Sequence, residues 1–105
     1  MGRLDGPSVV PAEAIKLAKS YREDVRLCWA LRRVKGMKKR TAAEECGLYV
    51  SHVSEYLSDD DSKRDMPAKY IPAFEALAGN TAISQWLAAQ ARLTVLEEMQ
   101  ARRAA

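Results

Sequence analysis

The side chains able to do chemistry are few and mostly basic. Arg32, Arg33, Lys35, Lys38, Lys39 and Arg40 crowd into "RRVKGMKKR". Clustered cations raise local affinity for anions, so this stretch suits phosphate. It suits a solvated helix end equally well, where basic residues oppose the negative end of the dipole. The nucleophiles and metal ligands are sparser. His52 is the single histidine, and Cys28 and Cys46 each stand without a second ligand nearby. They read as reduced, small core hydrophobes. There is no glycine-rich phosphate loop, no clustered ligand set, and no serine or cysteine with a base partner. Catalysis is therefore not expected, and neither is a metal or cofactor.

Charge distribution says more than the net value of +3. Residues 1–40 hold eleven basic against four acidic residues, and residues 41–66 hold two against seven. The remaining 39 positions are close to balance. With 105 residues, 48% of them hydrophobic, the chain suits one folded domain with a real core. Sparse proline and glycine, with abundant alanine, leucine, arginine and glutamate, favour helices. No apolar run approaches a membrane span, and "MGRLDGPSVVP" lacks the features of a signal peptide. The expected location is the cytoplasm.

These side chains must be positioned by helices. Residues 1–10 read as a flexible leader. Pro11 suits the first turn of a short helix over 11–19, with Ala14, Ile15 and Ala18 on one face. Ser20 and Glu23 have capping-box spacing, starting a helix over 21–35. Val25, Cys28, Ala30, Leu31 and Val34 would face inward, and Gly36 would end that helix in a left-handed cap. After the polar "SDDDSKRDM", Pro67 and Pro72 bracket the next helix, which either kinks at Pro72 or starts near it, and which ends at Gly79. Asn80 or Thr81 caps a last helix over about 81–103. The expected architecture is all-α: five main helices with a short extra one in front, in a single domain over 11–105.

Gly47 decides how the basic stretch and the serines after it relate. Within one helix from Lys39 to Leu57 it would cost roughly 1 kcal/mol relative to alanine, which is tolerable. Spacing favours a break. A helix-turn-helix needs a small residue four positions before its turn glycine, an apolar one just after, and a β-branched one six after. Ala43, Leu48 and Val53 occupy those places. Glycine itself accepts the left-handed turn that a Cβ penalises.

The stretch "GMKKRTAAEECGLYVSHVSEYL" resembles, without a gap, the helix-turn-helix of the phage repressor and Cro family (the lambda repressor-like fold), with "TAAEECGLYVSHV" closest to the Cro type. Detailed likeness covers about 22–58, with the motif at about 38–58; the rest matches in helix order. The resemblance implies a small prophage-type transcriptional regulator, a repressor or a Cro- or CII-like protein, that binds double-stranded operator DNA as a dimer. Carried over by position, Tyr49, Val50, Ser51, Ser54 and Glu55 would face the major groove. Lys39 would begin the first helix of the motif and contact phosphate. Arg33, Lys35, Lys38, Arg40 and His52 are further phosphate candidates. The chain departs from the family in three ways. Val50 replaces a frequent glutamine and can touch only a thymine methyl; Lys38 stands where threonine or serine usually caps; Glu55 is acidic and would accept from cytosine N4.

Trp86, Leu93, Leu96 and Met99 recur at spacings close to a coiled-coil seam. They either pack within the monomer or form the interface of a homodimer, which a single helix-turn-helix generally needs for usable specificity. The rival reading is a protein-interaction module, such as an antitoxin or anti-regulator, built on the same fold. The acidic centre over 41–66 favours a protein partner; "RRVKGMKKR", Ser51 and Ser54 favour a duplex.

Overall fold

The computed structural model describes residues 6–104. It is built from six α-helices: α1 (Ala12–Ile15), α2 (Tyr21–Ala30), α3 (Lys39–Cys46), α4 (Val50–Tyr56), α5 (Ile71–Ala78) and α6 (Ala82–Ala104), with a 3₁₀ turn at Ala68–Tyr70 before α5. Among the described residues no strand forms. Helices α2, α3, α4, α5 and the first turn of α6 enclose one core, in which Val25, Cys28, Ala43, Val53, Phe74, Ala78 and Ile83 are almost fully buried. No helix among the described residues is long and apolar enough to cross a membrane.

Local chemistry explains most boundaries. The Ser20 hydroxyl accepts from the Glu23 N–H at 3.2 Å, and the Glu23 carboxylate accepts from the Lys19 N–H at 2.9 Å. This is the expected reciprocal cap, shifted by one residue on its return arm. Pro72 falls in the first turn of α5, where its missing N–H has no helical partner to lose. The Asn80 side chain accepts from the Ala82 N–H and donates to the Cys28 carbonyl, so one amide caps α6 and ties it to α2.

Three expectations are corrected. Helix α2 stops at Ala30 rather than 35, and Gly36 is not left-handed. Arg32 donates to the Trp29 and Lys35 carbonyls, Lys35 Nζ to the Ala30 carbonyl, and the Arg33 N–H to the Ala78 carbonyl. Those bonds replace the helical ladder, and Ala30, Leu31 and Val34, expected inward, lie at the surface. Helix α1 likewise ends at Ile15. The leader is anchored where it is described: Ser8 bridges Asn80, buried Val10 exchanges two bonds with the Gln85 side chain, and only residues 1–5 of that segment lie outside the described residues. By contrast α6 runs unbroken from Ala82 to Ala104, as expected.

Among the described residues two glycines have positive φ, Gly47 at 72° and Gly79 at 83°. Both close helices, and they differ in surroundings. A Cβ on Gly47 would meet open space, whereas one on Gly79 would lie 2.7 Å from Arg33 Nε. Left-handed backbone costs an L-residue about 1–2 kcal/mol. Gly47→Ala should therefore lose about that much in urea denaturation, and Gly79→Ala measurably more because the Arg33 side chain must also move. Equal losses would mean Arg33 yields freely.

Candidate nucleic-acid interface

Helices α3 and α4 are joined by a tight turn. The N–H groups of Gly47 and Leu48 both reach the Ala43 carbonyl, the latter at 2.8 Å. Ala43 and Val53 are each 1% exposed, and Leu48 packs against the core. The four positions expected to lock the two helices thus meet at the junction. Burying Val53, Tyr56 and Leu57 on one side of α4 turns Ser51 and Ser54 outward, with Val50 and Tyr49 exposed at its start. Tyr56 and Leu57 belong to the core, as their spacing predicts.

The outward face carries a side-chain cluster. The Tyr49 ring stands edge-on to His52 with centroids 5.1 Å apart. Arg64, from the loop after α4, donates Nη1–H to His52 Nε2 at 2.8 Å and pairs through Nε with Glu55 Oε1 at 3.3 Å. His52 therefore accepts at Nε2, and Glu55 is engaged by a cation rather than free. Sequence reasoning missed Arg64, whose partners lie nine and twelve residues away.

It also missed Arg22, which holds this region in place. Its guanidinium, from α2, donates to the carbonyls of Glu55 at 2.6 Å and Ser58 at 3.0 Å, near the end of α4. It also reaches the carbonyls of Lys63 and, at 3.0 Å, Arg64 in the following loop. Asp65 pairs with it at 3.1 Å and the exposed Asp61 stands 3.8 Å away. Tyr21, the adjacent residue, donates its hydroxyl to the Met66 carbonyl at 2.9 Å. Burial, aided by Asp65, Asp24 and Glu75, pushes that phenol up to about 12. The aspartate run is thus divided: Asp60 forms a local turn by accepting from Ser62, while Asp61 leans toward Arg22.

The basic stretch separates into two sets. Arg32 stacks on the Trp29 ring at 4.3 Å and caps local carbonyls. Arg33 donates to the carbonyls of Gly6 and Gly79, and Lys35 to that of Ala30, so both are spent on tying down the chain. Lys38, Lys39 and Arg40 remain exposed at the start of α3, where Lys38 is the N-cap and provides no side-chain bond. The free N–H groups of that first turn and three cations together favour an anion.

Both cysteines are free and buried, and burial pushes both thiols up, Cys28 strongly. Among the described residues no group of His, Cys, Asp and Glu is arranged to hold a metal ion. On α6, Trp86 packs against the core and donates Nε1–H to the Ala18 carbonyl, so it is part of the monomer. Leu93, Leu96 and Met99 are about half exposed, with Val95 beside them. The expected seam therefore divides between an inner anchor and an outer apolar stripe. Comparison with protein-family models, with curated proteins and with solved structures finds no match for this chain.

Proposed function

We propose that this protein is a sequence-specific, double-stranded DNA-binding transcriptional regulator of the phage repressor and Cro type, acting in the cytoplasm as a homodimer. One observation carries the reading. Gly47 takes a left-handed turn between two short helices locked through Ala43 and Val53, and this leaves Ser51 and Ser54 outward on the second helix. A helix presented in this way fits the major groove, and serine hydroxyls can donate to or accept from base edges. Lys38, Lys39 and Arg40 at the start of α3 would take the flanking phosphates, with Tyr49 and Val50 at the entry of the reading helix. Val50 would meet a thymine methyl. The outer stripe of Leu93, Leu96 and Met99 supplies a face for the second copy.

The alternative, an interaction module such as an antitoxin, draws on a different observation. A groove of about 440 Å³ between the segment after α1 and α6 is lined by the apolar Ile15, Trp86 and Leu93 together with the cations Lys16, Lys19 and Arg92. That combination suits an apolar helix carrying acidic residues.

Selection of bound duplexes from a randomised library, at near-physiological salt, separates the two. The expected result is a palindromic consensus with half-sites about one helical turn apart. Ser54→Ala should then relax preference at one position in each half-site. Absence of a consensus, with binding lost at modest salt, would leave only nonspecific phosphate attraction and overturn the operator reading.

A further inference from the structure

Arg64 occupies an unusual place for a surface cation. It lies in the connection after α4, yet the backbone on either side of it is held from within the fold. The Arg22 guanidinium binds the carbonyls of Lys63 and Arg64 and the Asp65 carboxylate, while also binding those of Glu55 and Ser58 at the end of α4. Loop and reading helix are therefore joined at one buried point. From that fixed base the Arg64 side chain returns along α4, where His52 Nε2 and Glu55 Oε1 hold two of its three nitrogens. His52 and Glu55 lie three positions apart, adjacent on the helix surface. The Arg64 side chain stays 53% exposed, on the same helix surface as His52 and Glu55.

With Nε–H held by Glu55 and one Nη1–H by His52, the guanidinium plane is fixed and the second Nη1–H and the Nη2–H groups are left for bidentate bonding. Guanine offers O6 and N7 in the major groove as the matching pair of acceptors, and pre-orientation lowers the entropy cost of meeting them. Glu55, neutralised by this pair, can approach a polyanion with less repulsion. We propose that Arg64 is a specificity-determining residue of the same interface, reading a guanine of the operator, with Glu55 and His52 as its positioning residues. The assignment rests on α4 being the DNA-facing helix. It makes Glu55 the support of a guanine reader instead of a reader of cytosine.

The test uses the full chain and the duplex library, comparing wild type with Arg64→Ala, Arg64→Lys and Glu55→Gln, each first checked for an unchanged thermal midpoint. Wild type should enrich a guanine at one position per half-site. Arg64→Ala should lose discrimination there by on the order of tenfold to a hundredfold and keep the other positions. Glu55→Gln should weaken the same guanine preference alone, an effect that mere loss of structure would spread over every position. Arg64→Lys should restore the salt dependence without restoring full discrimination. If Arg64→Ala leaves the consensus intact and only lowers the salt slope by about one phosphate, Arg64 is a backbone contact and the proposal fails. If Glu55→Gln instead abolishes preference for a cytosine at its own position, Glu55 reads and does not position. A wild-type chain that enriches nothing overturns the operator reading itself, and this assignment with it.

Discussion

Replacing Arg22 with methionine should destabilise the protein by about 3 kcal/mol, a large share of a small domain's total stability. The side chain is only 4% exposed and sits where two backbone segments converge. Methionine keeps much of the volume and the packing of the stem but removes every donor. The carbonyls of Glu55, Ser58, Lys63 and Arg64 would lose a charged partner together, and hydrogen bonds to charged groups are individually worth about 1.5–3 kcal/mol. The acids matter less. Asp61 and Asp65 are 93% and 64% exposed, so water can take up their charge when the arginine is gone. Thermal unfolding should show a midpoint lower by on the order of 15 °C for a domain of this size. Arg22→Lys should recover little, because a point charge cannot reach carbonyls on both segments at once. Hydrogen exchange should rise first at the end of α4 and over 58–66, the two pieces that Arg22 joins. A midpoint within a few degrees of wild type would mean that water replaces the guanidinium at no cost.

That network was not legible in the sequence, and the reason is physical. An arginine in a helix ordinarily keeps its charged head in water, and Arg22 differs only because acceptors 33 to 42 residues away surround it. No local pattern encodes such a meeting. Gly47 is the opposite case. A turn glycine acts through its nearest neighbours, so Ala43, Leu48 and Val53 can be identified by offset alone. Capping at Ser20 and the end of α5 at Gly79 were readable for the same reason. The end of α2 was not, because the bond from Arg33 N–H to the Ala78 carbonyl is a tertiary competitor for a helix that periodicity would have continued. The outward residues of α4 followed from helical spacing once the turn was placed. The Arg64–Glu55–His52 cluster did not, since it depends on a loop folding back.

The second large effect concerns pH. Asp24 is 0% exposed on α2, and neither of its carboxylate oxygens has a hydrogen-bond partner. Glu75, also buried, differs: the Ser84 N–H and hydroxyl donate to its two oxygens at 2.7 Å each. Glu75 can therefore carry charge with support, while Asp24 cannot. Burial first, and the Glu75 charge second, push Asp24 up to about 7 from a normal value near 3.8. The folded chain then keeps a proton that the unfolded chain releases near pH 4. Stability from this group is fully present below the unfolded value and is lost as pH rises through about 7. The loss amounts to at most on the order of 4 kcal/mol across that window. Wild type should consequently lose this contribution, and melt at progressively lower temperature on its account, between pH 4 and pH 8. Asp24→Asn, which cannot ionise, should flatten that slope, melting near wild type at pH 4 and well above it at pH 8. Parallel curves for the two proteins would show that Asp24 finds a partner or water in solution and titrates normally. The sequence held one hint of this site: an acid sits one helical turn before Cys28, on the stripe that faces inward with Val25. A carboxylate at such a position has to be paired or protonated, and this fold supplies no pair.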